Sequence, residues 1–226
     1  MLLKRIKIFT ALALVLLVSC KTEKENFVKR EYNQELVNEL ASMVEIDQVA
    51  AGIPSGKYKE LTEEEWQSFK DSVFAVTHKK AAEIFNKHGF VGFDLAGKEG
   101  SRNFWLIVQH LDFNPEFQEA VLKEMKIKVE NKNANPENYA YLLDRVQLNT
   151  GKKQVYGTQV MYNWKVCQAY PKPLIDSINV NKRRKEIGME PLEVYLNEMS
   201  KMHFEINKET FSKVNITEPK LYKIKD

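Results

Sequence analysis

The sequence predicts a mainly α-helical domain with one small β-hairpin, an α+β arrangement in a single compact unit. Three observations predict it. Apolar residues recur at helical spacing over most of residues 33–149. Capping residues and prolines stand at the starts of those stretches. Residues 154–170 alone switch to two extended runs rich in β-branched and aromatic types, separated by a short turn. The composition, 43% hydrophobic and 11% aromatic in 226 residues, suffices for one sizeable core.

A leader precedes the domain. Lys4, Arg5 and Lys7 are followed by an apolar run over residues 8–18 whose only polar member is Thr10, and the run ends in Leu17-Val-Ser-Cys20. That is the plan of a secretory signal, and the run falls well short of the about 20 residues that a permanent bilayer helix needs. A cysteine at the cut marks a lipoprotein signal, because its thiol accepts a diacylglycerol. Residues 1–19 are therefore read as a signal peptide and Cys20 as the lipidation site. The chain is expected in the cell envelope, lipid-anchored to a bacterial membrane on its periplasmic or surface face. Each buried methylene of the lipid contributes about 0.8 kcal/mol to anchoring. The polar stretch over residues 20–31 reads as a flexible tether.

The leader's three cations equal the whole formal excess of +3, so the mature chain is neutral. A nucleic-acid partner is not expected, since that needs a basic face. Lys182-Arg-Arg-Lys185 reads as a solvated helix turn. With Cys20 lipidated only Cys167 remains, and no disulfide can form within the mature chain.

The first helix is expected over residues 33–50, with Leu36, Leu40, Met43 and Val44 on one face. Asp47 falls on that same face and needs a partner if buried, either as a structural acid or as part of a site. Gly52, Pro54 and Gly56 interrupt the chain, and Thr62-Glu-Glu-Glu65 has the form of a capping box. A long helix then runs to His88 and stops at Gly89. Residues 89–100 hold four glycines and read as a loop whose spacing fits neither a P-loop nor a dinucleotide fingerprint. Ser101 is placed as the cap of a short, nearly all-apolar helix ending at His110.

Pro115 and Asn135-Pro136 open two further helices. The hairpin is expected to pair residues 154–162 with 165–170. A short basic helix over 180–187 and another from Pro191 complete the domain at residue 202, and residues 203–226 read as a polar tail.

Gly89-Phe-Val-Gly92, Leu106-Ile-Val-Gln-His110, Ala140-Tyr-Leu-Leu-Asp-Arg145, Gln154-Val-Tyr-Gly-Thr-Gln159 and Arg183-Arg-Lys-Glu-Ile-Gly188 together resemble the signature of an uncharacterised bacterial lipoprotein family. It is a domain of unknown function marked by V-Q-H, D-R-V and Q-x-Y-G-T-Q. The resemblance spans residues 36–196 and implies no reaction. Trp164 and Cys167 depart from the plainer polar turn the resemblance implies at the hairpin.

As chemistry, these motifs supply His110, Asp112, Asp144, Arg145, Gln154, Tyr156, Thr158 and Gln159. His110 is a candidate general base, with Asp47, Asp112 or Asp144 orienting its ring. Arg145 suits a carboxylate or phosphate, and Gly157 would let a ligand approach the backbone. The same residues also read as a buried polar network, because buried polar groups must be paired.

No metal or other cofactor is expected, since the four histidines lie far apart and lack His-Glu-x-x-His spacing. No Gly-x-Ser-x-Gly elbow is present. Two functions stay open. One is an envelope protein binding a small polar ligand or a protein partner where the His110 helix, the end of the Asp144 helix and residues 154–159 meet. The other is an envelope hydrolase using His110 with an aspartate.

Overall fold

Asn33 starts the first helix by accepting a 3.0 Å hydrogen bond from the Leu36 amide, and α1 runs Gln34–Ala51. The computed structural model describes residues 32–224, so the signal, Cys20 and the tether lie outside the described residues. α1 buries Leu36, Leu40, Met43, Asp47 and Ala50, which places the carboxylate of Asp47 on the core face.

α2 spans Glu63–His88 behind the expected capping box: the Thr62 hydroxyl accepts from the Glu65 amide, and the Glu65 carboxylate accepts from the Thr62 amide. Its buried residues, Val73, Thr77, Ala81 and Ile84, all lie in its later turns. Earlier on the helix, Trp66 and Phe69 pack instead on Tyr58 of a short 3-10 turn, Gly56–Glu60. Gly89, at φ 68°, ends α2 in a conformation that disfavours any other residue.

Of the glycine-rich stretch only residues 89–92 form a loop; the rest is helix. α3 covers Phe93–Gln109 and is interrupted only at Gly97, whose φ of 68° and ψ of −179° kink it. Helix becomes possible there because the other glycines serve packing or termini. Gly92 is the N-cap, and a side chain at Gly100 would collide with Ala96 at 2.6 Å. Asn133 fixes the new start by accepting from the Asp94 amide at 2.9 Å and donating to the Asp94 carboxylate at 2.7 Å. Ser101 is consequently a buried residue inside the helix rather than its cap.

α4 (Pro115–Glu130) and α5 (Pro136–Asn149) open on their prolines, capped by Asn114 and Asn135. The five helices enclose a core that includes Leu40, Phe90, Phe104, Ile107, Val121 and Leu142. Truncating a leucine such as Leu40 there costs about 2–5 kcal/mol.

The hairpin is shorter than expected. β1 (Val160–Asn163) pairs antiparallel with β2 (Gln168–Pro171), in the register Val160 to Pro171 and Asn163 to Gln168. Residues 154–159 form no strand, because the amides of Val155, Tyr156, Thr158 and Gln159 bond to side chains instead; Gln154 makes an isolated parallel bridge to Leu174.

α6 (Val180–Glu186) and α7 (Leu192–Ile206) pack over the hairpin around Ala169, Val180, Leu192 and Leu196. The polar tail expected from residue 203 is replaced by ordered structure. α7 continues to Ile206, a short α8 (Lys208–Ser212) follows, and Phe204 and Phe211 are buried with Cys167. Asn197 then ties down the chain end by donating to the Tyr222 carbonyl and accepting from its amide. Periodicity fades in the sequence because the inward-facing residues of this segment, Phe204 and Phe211 with the partly buried Ile216 and Tyr222, are widely and irregularly spaced. No helix among the described residues is long and apolar enough to cross a membrane.

Candidate functional site

The sequence-predicted polar residues divide into three groups. The first is built around Asp144, whose position on the inner face of α5 leaves it fully buried. Its carboxylate accepts from the amides of Val155 at 2.7 Å, Tyr156 at 3.0 Å and Thr158 at 2.9 Å, and from the Thr158 hydroxyl at 3.0 Å. Gly157 makes this wrap possible with φ 78°; a Cβ there would sit 2.8 Å from Leu192.

The carbonyls of the same loop turn outward to a second set of donors. Arg183 Nε donates to Val155 O, Arg184 Nη1 to Tyr156 O, and the Tyr195 hydroxyl to Thr158 O at 2.7 Å. Gln154, also fully buried, closes the loop on itself: its amide nitrogen donates to Gln159 O and its oxygen accepts from the Gln159 amide.

The most specific motif of the sequence is thus a clamp in which every principal donor and acceptor is satisfied. Sealed and mutually paired, Asp144, Gln154 and Thr158 offer nothing to a ligand, so they do not line the open site expected among the His110 helix, Asp144 and residues 154–159. Burial raises the Tyr156 and Tyr195 phenols, which stay neutral donors.

The second group lies at the C-terminal end of α3. Gln118, fully buried on α4, donates to the carbonyls of Val108 and Gln109 in the last turn of α3. Asp112 gathers Arg145 at 2.6 Å, Asn149 at 2.8 Å and Gln118 at 3.2 Å. Arg145 is half-buried and Asp112 exposed, and solvent screening at the Asp112 side keeps such a pair near the about 0–1 kcal/mol of surface pairs. Arg145 is therefore committed to Asp112.

The third group is a dyad. His110, the residue capping α3, donates from Nδ1 to Asp47 Oδ2 of α1 at 2.7 Å. Asp47 is fully buried and the His110 side chain is 18% exposed. Of the three aspartates considered as partners for His110, Asp47 is the one in place. Gln48 adds a hydrogen bond to the same oxygen at 3.1 Å, while Asp47 Oδ1 is buried with no partner.

His110 Nε2 has no partner among the described residues and is not among their sealed unpartnered atoms, so water reaches it. In the neutral ring, the proton on Nδ1 leaves the Nε2 lone pair free to accept a proton or a hydrogen bond. Phe74 flanks the ring at 6.1 Å, and His78, one turn further along α2, bonds Asn114.

Sequence reasoning missed Gln118, Asn149, Arg183, Arg184 and Tyr195. The sequence places Arg184 on a solvated turn, but it is 1% exposed. A signal for this exists: Val180 and Arg184 are four apart and share the buried face of α6. Burial raises the Cys167 thiol above its usual range, which disfavours the thiolate.

The model of a Family of unknown function (DUF6624) matches residues 34–204. No curated protein and no solved structure matches the chain.

Proposed function

The chain belongs to that family, which supplies no activity to inherit, and we propose from its own residues that it is a lipid-anchored envelope protein that binds a polar, hydrogen-bonding ligand at the Asp47–His110 dyad. The observation that carries the reading is the pairing of a buried carboxylate with an imidazole that is 18% exposed. A buried, unsatisfied oxygen costs about 1–3 kcal/mol, and Asp47 Oδ1 is such an atom. The contact to Oδ2 holds the imidazole in the tautomer that leaves Nε2 free for an incoming group. The anchor rests on the leader's charges, its apolar run and the placement of Cys20.

Hydrolysis is the second reading, with the dyad as general base toward water. Binding is preferred as the reading that asks only for the dyad itself; a covalent route has no support, since among the described residues no hydroxyl or thiol bonds to His110 as a nucleophile would. The test is a thermal-shift screen of polar envelope metabolites on the wild type and on His110→Asn, a variant that retains a donor toward Asp47 but removes Nε2. Binding by the wild type alone supports the proposal. A hit that is consumed during incubation selects the hydrolase, and equal shifts in both proteins overturn a role for the dyad.

A further inference from the structure

Arg184 does more than clamp the loop. It lines a cavity of about 290 Å³ with Tyr141 and Glu137 of α5, Met189 and Glu190 of the following turn, and Val194 of α7. The size is near the lower end of the about 300–1,000 Å³ usual for small-molecule pockets. At 1% exposure the guanidinium is held rigidly: Nε donates to Glu190 O at 2.6 Å, Nη1 donates to Tyr156 O at 2.8 Å, and the Tyr195 ring lies beneath it at 5.2 Å.

Its third nitrogen, Nη2, has no partner among the described residues and is not among their sealed unpartnered atoms. Arg184 also makes no ion pair among them, although a buried cation ordinarily has one. The cavity therefore ends on a fixed cationic donor. Its rim is the opposite: Glu137, Glu190 and Glu198 are exposed acids, with Lys201 paired to Glu198 at 2.8 Å.

Charge decides what fits. A plain anion that reached Arg184 would pass three carboxylates, and a plain cation would be stopped by the guanidinium beneath. We propose that this cavity is a second ligand site, separate from the dyad, that takes a zwitterion of amino-acid to dipeptide size, its carboxylate on Arg184 Nη2 and its ammonium among the rim glutamates. The apolar walls of Met189 and Val194 receive the small side chains.

Arg184→Ala would also break the loop clamp, so the decisive variant is Val194→Trp, which fills the cavity while leaving Arg184, Tyr195 and their hydrogen bonds to the loop in place. Calorimetric titration of the full-length protein in detergent uses L-alanyl-L-alanine, its N-acetyl derivative, which lacks the ammonium, and its C-terminal amide, which lacks the carboxylate. The expected result is binding of the free dipeptide, at least roughly tenfold weaker binding of both derivatives, and loss of all binding in Val194→Trp at unchanged melting temperature. In Glu137→Gln/Glu190→Gln the N-acetyl derivative gains on the free dipeptide. No heat from any of the three probes, equal binding of all three, or binding that survives Val194→Trp overturns the proposal.

Discussion

Asp47 and His110, 63 residues apart in the chain, meet at 2.7 Å between α1 and the end of α3, one fully buried and the other open at Nε2. His203 is the counterexample within the same molecule. It stacks on Tyr162 at 3.9 Å, and its Nε2 is sealed without a partner. Diethyl pyrocarbonate, which needs an accessible unprotonated nitrogen, should therefore label His110 and spare His203 in the folded protein. Mass spectrometry of the labelled peptides reads this directly.

The burial of His203 also predicts a pH dependence. Desolvation lowers its folded pKa below the ordinary value of 6.5, so the unfolded chain binds the proton more readily than the folded one. Stability then rises with pH where the unfolded state carries more protons. The contribution is unfavourable below the unfolded value and vanishes above it. Chemical denaturation between about pH 5 and pH 7.5 should show the wild type weakening toward acid and His203→Phe weakening less.

Asp144 holds three backbone amides and a hydroxyl of one loop. Hydrogen bonds to a charged group each contribute about 1.5–3 kcal/mol, and orphaned buried donors add to the loss. Asp144→Ala should destabilise the domain by at least about 3 kcal/mol in urea titration.

Gly157 tests the same clamp through the backbone. With φ 78° and Leu192 2.8 Å from where a Cβ would stand, Gly157→Ala combines strain with overlap and should cost about 1–3 kcal/mol. Gly151→Ala, at φ 74° with open space around it, should cost less, since only strain remains.

At the other end of the chain, Cys20→Ala should abolish acyl-chain labelling and move the protein from the membrane fraction to the soluble one. An unlipidated, freely secreted wild type would contradict the anchor.

Local signals carry most of the helices. Asn33, the Thr62 and Glu65 box, Gly89, Pro115 and Pro136 each act within a turn or two of themselves, and each begins or ends a helix as expected. The failures are tertiary. Four glycines suggest a loop, but only Gly97 takes a left-handed conformation within α3, and the close approach that Gly100 permits is visible only once the helix is packed. Phe204 and Phe211 form too sparse a pattern to extend the domain past residue 202, yet they close its last core.

The site is legible as a set of residue types and illegible as a partition. Asp144 and Asp47 are both buried acids on apolar helix faces, and what separates them is the partner each meets. Asp144 meets an entire loop of donors; Asp47 meets one imidazole and leaves an oxygen unpaired.

His110→Asn compared with Asp144→Ala tests that difference most directly, in melting temperature and in binding of whichever envelope metabolite shifts the wild type. The predicted result is a melting temperature close to wild type with binding lost for His110→Asn, against a large fall in melting temperature for Asp144→Ala. Equal falls in both variants, or undiminished binding in His110→Asn, would contradict it.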